Sequence, residues 1–552
     1  MAQINSTVGD LEGNLVKIRK FLGDAKKRGA DLVVFPELAV TGYPPQDLLL
    51  ENSFVDRNKE LLEGLISANR VDVAGVVGFV DCKRGSLFNA AAVFNRNKIV
   101  GIVHKTLLPT YDVFDEERYF KSGKEEEIVP QLIEIDRKII NLGVEICEDL
   151  WDKEYNVKVS DLLVKRGAEL IVNTSASPFI VAKTLERSRL LKEKAIKNRV
   201  PIFYVNLVGG QDELVFDGQS LAVDKRGNLI AVGRLFEEEL VMTDINLKKG
   251  VGKKVEAPIY NKTREMFNAI VLGIRDYFKK SGFERAVLGM SGGIDSSVSA
   301  CIAAEALGKE NVIGVSMPSK FSSHHGKKDA EKLAENLGIF FVRVGIQEVV
   351  DSYQQILEEP LEHIREYFVL KKEDDDPVAN ENIQPRARGN ILMDFSNRLK
   401  TLRILVLNTG NKTEIALGYC TLYGDMAGGI GALGDVSKLD VYKLADYINK
   451  KAGKQIIPKS VLEKKPSPEL KEGQFSPFDF DIVSPLVDEI IENRRGKQEL
   501  MEMGYPKEAV EDVYKRIRNS EYKRRQATPC IKITPKAFGI GWKMPITNKY
   551  QG

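Results

Sequence analysis

Cysteine is scarce in this chain of 552 residues: five, an odd number, at positions 82, 147, 301, 420 and 530, with no paired C-x-x-C spacing. That pattern excludes a disulfide framework and a thiolate zinc site, and it fits a reducing compartment. The four histidines (His104, His324, His325, His363) have no metal-cluster spacing, and the adjacent pair reads as a solvated helix start. No uncharged apolar run approaches the roughly 20 residues that span a bilayer. The opening MAQINSTVGD also lacks a basic segment followed by an apolar one, so a cytoplasmic protein without a membrane partner is expected. Excess charge is missing too: Lys+Arg 81 against Asp+Glu 79 argues against a nucleic-acid partner while leaving local basic pockets open. With 43% hydrophobic and 29% charged residues and no long low-complexity stretch, the composition is that of a globular protein, long enough for two domains.

Apolar residues at helical spacing from Leu11 to Ala25, with Asp10 to cap and Gly29 to stop, predict a helix. DLVVF, VDVAGVVGFV, AAAVF, KIVGIVHK, IINLGVEIC and AELIVNTS read as strands, SLAVDKRGNLIAVG as a hairpin around Lys225 to Asn228, and ELVMTDIN as one further strand. The first half is therefore α/β with hairpins and crossovers mixed, over residues 1–249. A basic stretch with glycines and a proline makes 250–261 the expected linker. From 262 to 552, a helix (Lys262 to Lys279) and then strand, loop and helix repeats predict a doubly wound parallel sheet. Its chemistry should sit beyond the strand ends, after Met290, Ser316 and Leu407. KKEDDDPVAN (371–380) reads as a mobile surface loop.

Glu37, Lys105 and Cys147 each follow a strand-like run. Alone each is weak: a lone strand-end cysteine is more often a small buried hydrophobe, and a lone lysine is usually solvated. Together they offer a thiolate, a carboxylate to carry its proton to a leaving nitrogen, and a cation for the nucleophile and oxyanion, which is what attack on an amide needs. Glu148 and Asp149 would raise the thiol's pKa if they faced it, so both are expected to point elsewhere. These residues, in VVFPELAVTGYPP, VGIVHKTLLPTYDVFDE and LGVEICEDLW, resemble the Glu-Lys-Cys set of the nitrilase superfamily. The resemblance implies an α-β-β-α layered sandwich, with Glu37 as base and acid, Lys105 as oxyanion partner and Cys147 as nucleophile. It further implies Glu116 as a supporting glutamate and Tyr111, Ser177 and Lys183 as glutamine-binding residues. The sequence departs from the family at its start, where only Met1 precedes AQIN.

In AVLGMSGGIDSS, glycines and serines lie between an apolar strand and a helix, where backbone N–H groups can close on phosphate. A bare Gly-Gly turn is commonly structural, but S-G-G-x-D-S after a strand is more restrictive, and the G-K-[ST] ending of a γ-phosphate loop is absent. SGGIDS (Gly289, Met290, Ser291, Gly292, Gly293, Ile294, Asp295 and Ser296 with its strand end) resembles the pyrophosphate loop of N-type ATP pyrophosphatases, whose domains are of the adenine nucleotide alpha hydrolase type. ENIQPRARGNILM, NTGNKTEIALGYCTLYGDMAGG, KPSPELKEGQ and EYKRRQATPCIKITPKAFGIGW extend the likeness to the glutamine-dependent NAD synthetase family. The resemblance implies ATP contact by Thr409, and a dinucleotide site of Asn382, Arg386, Lys412 and Lys523, with Glu414 counted among them. Asp295 and Glu414 are the implied Mg²⁺ ligands. Pro385, the residues between Asn397 and Thr409, and GQFSPFDFD depart from the family's pattern.

The expected enzyme is thus a carbon–nitrogen ligase in NAD biosynthesis. It hydrolyses glutamine to glutamate and ammonia, and uses ATP to adenylate and then amidate deamido-NAD, releasing AMP and pyrophosphate. ATP and Mg²⁺ are required, no tightly bound organic cofactor is expected, and the resemblance implies a homo-oligomer. Ammonium is not a nucleophile, so an enclosed passage for ammonia is the physical expectation. Other acceptors of amidation, and a nucleotide-binding scaffold with a decayed site, are the competing readings.

Overall fold

In the computed structural model, which describes residues 1–68, 73–135 and 137–550, contacts divide the chain into Met1–Lys262 and Thr263–Gly552. The first unit runs β1 (Ala2–Gln3), α1 (Leu11–Lys27), β2 (Leu32–Val34), α2 (Asn52–Ser67), β3 (Ala74–Lys83), β4 (Ser86–Asn95), β5 (Lys98–His104), β6 (Gln131–Ile135), β7 (Lys138–Ile146), α3 (Val159–Lys165), β8 (Leu170–Ser175), α4 (Lys183–Asn198) and β9 (Ile202–Asn206). Short strands follow: β10 (Val208–Gln211), β11 (Leu214–Asp217), β12 (Leu221–Val223), β13 (Leu229–Val232), β14 (Glu239–Leu240), β15 (Ile245–Asn246) and β16 (Val251–Gly252). Asp10 caps α1 as its sequence predicts, its carboxylate accepting from Gly13 N at 3.0 Å. Val71 and Asp72, read with β3, lie outside the described residues.

Period-two alternation builds the layers. Val76 and Val93 face one way, into a core shared with Ile140, Val144, Leu170 and Val172. Val77 and Phe94 face the other way, onto Leu15, Ile18, Leu62 and Leu65 of α1 and α2. The sheet β2-β3-β4-β5 thus packs on the sheet β13-β12-β9-β8-β7-β6, and α4 covers the latter's outer face through Leu191 and Ala195. This is the expected α-β-β-α sandwich. ELVMTDIN differs from expectation: it forms β14 and β15, two strands of two residues, because β14 pairs with β1 while β15 turns back to pair with β16. Beside the β1–β14 pairing, Met1 N donates to Val241 O at 2.9 Å.

The second unit continues with α5 (Lys262–Lys280), β17 (Arg285–Gly289), α6 (Ile294–Leu307), β18 (Val312–Ser316), α7 (His324–Leu337), β19 (Phe340–Arg343), α8 (Gln347–Phe368), α9 (Val378–Arg398), β20 (Ile404–Asn408), α10 (Lys412–Leu417), β21 (Ile430–Gly431), α11 (Lys438–Ala452) and α12 (Lys459–Glu463). It ends in α13 (Phe480–Ile491), α14 (Lys497–Glu502), α15 (Lys507–Asn519) and α16 (Glu521–Arg524). All four pairings in the sheet β19-β18-β17-β20-β21 are parallel. The winding direction reverses between β17 and β20, so the loops after these strands flank a topological switch point. The 371–380 segment is not the expected loop: a 3₁₀ turn at Lys372–Asp374 and the start of α9 occupy it, and Arg365 pairs with Asp375. No helix among the described residues is long and apolar enough to cross a membrane.

Candidate active sites

Pro36 ends β2 and turns the chain so that Glu37 points inward, fully buried. The turn is tight. Leu38 takes φ 45°, and β3 runs so close beneath that a Cβ on Gly78 would lie 2.4 Å from Leu38 N and Pro36 O. Lys105, just past β5, places Nζ 2.7 Å from Glu37 Oε1 and 2.8 Å from Glu116 Oε1. Asn89 Nδ2 donates to Glu37 Oε1 at 2.7 Å, Ala176 N donates to Glu37 Oε2 at 2.8 Å, and the Tyr43 hydroxyl donates to Glu116 Oε1 at 2.8 Å. Burial opposes the Lys105 ammonium, but the Glu116 and Glu37 carboxylates outweigh it and hold its pKa well above the ordinary lysine value. Burial pushes Glu116 up, against the pull of Lys105.

Cys147 sits where β7 breaks into a 3₁₀ turn, in the left-handed region at φ 45°. Such a position is sparsely populated for a side-chain-bearing residue and is kept only where the surroundings over-determine it. Burial pushes its thiol well up, Glu37 adds to this and Lys105 opposes it, so all three expected residues act on one another. The resting thiol therefore stays protonated through the neutral pH range. Thiolate absorbance in the wild type minus Cys147→Ala should stay flat there and rise only in strong base.

Asp149 turns away from the sulfur as expected: Oδ1 accepts from Thr106 N (3.0 Å) and Leu107 N (2.8 Å), and Oδ2 from Ile146 N (3.0 Å). It thus ties the lysine loop to the cysteine elbow. Glu148 corrects the expectation. It accepts from the Tyr111 and Tyr155 hydroxyls at 3.1 Å, yet its charge still reaches Cys147 and raises it. Tyr111 thereby lies beside the elbow, half-exposed. Lys183 stands with Nζ 3.7 Å from the centre of the Trp151 ring and acts electrostatically on Glu148. Ser177 is buried, its N–H donating to Asn206 Oδ1 at 3.0 Å; Asn206 Nδ2 donates to Asp217 Oδ1 at 2.9 Å, and Arg187 grips the same carboxylate at 3.0 and 3.1 Å. Asn89, Tyr43, Arg187 and Asp217 escaped the sequence reading: for Asn89 and Asp217 strand alternation does not show what an inward polar residue meets, and Tyr43 and Arg187 lie in a loop and in α4, where their partners are set by tertiary packing.

In the second unit, β17 delivers the SGGIDS loop to a cavity of about 330 Å³. Gly289, Met290, Ser291, Gly293, Ile294, Asp295 and Ser296 line it, with Thr409 and Glu414 from the turn after β20 and the start of α10. Gly292 alone of the expected loop residues does not; it adopts φ 75° against the backbone of Gly326. Ser291 Oγ accepts from Gly293 N at 3.2 Å, leaving the start of α6 facing the cavity. Asp295 Oδ1 accepts from Asn411 Nδ2 at 2.9 Å, and Lys438 Nζ lies 2.5 Å from Asp295 Oδ2 and 3.3 Å from Glu414 Oε1. Burial pushes Glu414 up to about 7 against the pull of Lys438. Two carboxylates on the wall of this cavity are the kind of donor set Mg²⁺ uses when phosphate oxygens complete its shell.

The residues expected at the dinucleotide are dispersed. Asn382 Oδ1 accepts from Thr421 Oγ1 at 2.7 Å, Arg386 Nε donates to Leu422 O at 3.2 Å, and Lys523 Nζ donates to the carbonyls of Gly418 (2.9 Å) and Cys420 (2.7 Å). Lys412 is fully buried, with Nζ 3.4 Å from Asp435 and Asp488, in contact with Glu492 and 3.2 Å from Thr534 Oγ1. Lys412→Met leaves these carboxylates uncompensated and should cost about 3–5 kcal/mol of stability, read from urea unfolding. Arg388, which the sequence reading missed, lines the cavity, and its desolvation lowers its pKa to about 10.

Comparison with known proteins matches residues 1–251 to the carbon-nitrogen hydrolase family and residues 266–527 to NAD synthase. The chain is 42% identical to a glutamine-dependent NAD(+) synthetase from Thermotoga maritima, and 42% identical to one from Synechocystis, over 100% of this chain and 98% of each relative. A solved glutamine-dependent NAD+ synthetase from Acinetobacter baumannii, in complex with adenosine diphosphate, superposes with a TM-score of 0.77 at 34% identity, over 99% of this chain and 98% of that one.

Proposed function

The chain belongs to the glutamine-dependent NAD(+) synthetase family, and on that premise we propose which residues carry each half of its reaction. The activity is the ATP-driven amidation of deamido-NAD with nitrogen from glutamine. The single observation that supports the residue assignment is the buried Glu37–Lys105–Glu116 arrangement around the Cys147 elbow.

Cys147 gives its proton to Glu37 as its sulfur attacks the glutamine amide, and Lys105 stabilises both the thiolate and the oxyanion. Glu37 then hands that proton to the leaving nitrogen, releasing ammonia and leaving a thioester. The same carboxylate deprotonates a water that frees glutamate. Tyr111, Ser177 and Lys183 hold the glutamine, and Glu116 fixes the lysine.

In the second unit the SGGIDS loop and the start of α6 hold the phosphates of ATP, while Thr409 takes the nucleotide beyond the next strand. Asp295 and Glu414 hold Mg²⁺, which when bound neutralises phosphate charge. Asn382, Arg386 and Lys523 flank the dinucleotide carboxylate's path, Arg388 joins them from the cavity wall, and Lys412 positions α10 beneath Glu414. The carboxylate attacks the α-phosphorus of ATP and expels pyrophosphate; ammonia then displaces AMP. Cytoplasmic location and a homo-oligomer complete the proposal, supported by five cysteines of which none forms a disulfide and by exposed Tyr353, Ile356, Leu361, Ile364 and Phe368 along α8.

Chromatography of products from ATP, glutamine and deamido-NAD tests this reading. Amidated dinucleotide, AMP and pyrophosphate should appear together. ADP and inorganic phosphate instead would refute adenylation, and an unconverted dinucleotide would point to another acceptor.

A further inference from the structure

The carboxylates assigned to the metal already have a cation. Lys438 Nζ lies 2.5 Å from Asp295 Oδ2 and 3.3 Å from Glu414 Oε1. It is the first residue of α11, 2% exposed. A helix N-terminus carries partial positive charge and disfavours an ammonium there, so the carboxylates and not the helix dictate its position. Both ends of the residue are held: its backbone N–H donates to Thr413 Oγ1 at 3.1 Å, and its side-chain Nζ lies 5.4 Å from the centre of the Phe480 ring. Among the described residues no group of three or more His, Cys, Asp or Glu side chains is arranged to hold a metal ion. The protein thus offers this ion two carboxylates and a competing ammonium.

We propose that Lys438 is the resident counter-cation of the Asp295–Glu414 pair, so that free Mg²⁺ is excluded and the metal enters only together with the triphosphate. The inference rests on the reading of Asp295 and Glu414 as metal carboxylates. Mg²⁺ approaches carboxylate oxygen to roughly 2.0–2.1 Å, on the oxygens Lys438 already holds. Without phosphate the site would then carry more positive charge than negative in a partly desolvated cavity, where repulsion is poorly screened. ATP reverses that balance, and the ammonium's donors can turn to a phosphate oxygen while the metal takes the carboxylates. Metal-free nucleotide and nucleotide-free metal are both disfavoured at such a site, which keeps the loop competent only for the complex of the two.

Titration of the full-length protein with Mn²⁺, followed by electron paramagnetic resonance with and without a non-hydrolysable ATP analogue, tests this. Wild type should take up Mn²⁺ tightly only with the analogue, a comparison that needs no variant. Lys438→Met should bind Mn²⁺ without nucleotide at least about tenfold tighter than wild type, and Lys438→Met/Asp295→Asn should lose that gain. Equal uptake by wild type with and without the analogue, or no gain in a folded Lys438→Met, overturns the proposal. Failure of the underlying reading looks different: Asp295→Asn alone would then leave analogue-dependent uptake intact.

Discussion

Cys147→Ala is expected to cut glutamine-driven amidation at least roughly a thousandfold while ammonium-driven amidation stays unchanged. The sulfur is the one nucleophile among the groups gathered at the first site; Glu37 and Lys105 are committed to each other at 2.7 Å. Alanine removes the sulfur without removing a charge, so the buried Glu37–Lys105–Glu116 arrangement survives and the fold should hold. Relief of the strained φ 45° backbone is not expected, because alanine carries the same Cβ. The split between nitrogen sources, measured as turnover with glutamine and with ammonium salt, distinguishes loss of a nucleophile from general damage. Parallel loss with both would contradict the assignment.

Gly292→Ala should do the reverse. A Cβ there would lie 2.1 Å from Gly326 O and 2.8 Å from Gly326 C, on a backbone already at φ 75°. Backbone cannot give way as a flexible side chain can, so the loop must shift, and Ser291, Gly293 and Asp295 shift with it. A displacement of this kind should lower amidation about a hundredfold or more with either nitrogen source, while glutamine hydrolysis continues. Measuring glutamate release beside dinucleotide amidation checks both halves; intact amidation would mean that the loop does not hold the phosphates.

Much of this was legible in sequence because local pattern and function coincide. The cysteine, lysine and glutamate each follow a strand with a clear apolar run, Glu37 and Lys105 in one sheet and Cys147 in the sheet packed against it, and SGGIDS lies between a strand and a helix, so the strand ends could be read even though the packing of the two sheets could not. What escaped was decided by tertiary contact. Arg388 went unread because the phase of α9 decides it: Pro385, Arg388, Gly389 and Leu392 turn to the cavity, a spacing of three and four that marks one helix face. Lys412 was expected at the dinucleotide, yet Asp435, Asp488 and Glu492, remote in sequence, enclose it. Lys438 gives no local signal, since its partners lie 143 and 24 residues away. ELVMTDIN shows the limit for strands: its alternation is real, but the choice of partner edge broke it in two.

The central claim is that a thiol in the first unit and a phosphate loop in the second serve one reaction. Glutamine carrying a heavy-nitrogen label on its side-chain amide, supplied with ATP and deamido-NAD and followed by mass spectrometry of the dinucleotide, tests it most directly. The label should appear in the new carboxamide with wild type and be absent with Cys147→Ala. Amidated dinucleotide without label from wild type, or labelled product from the alanine variant, would contradict it.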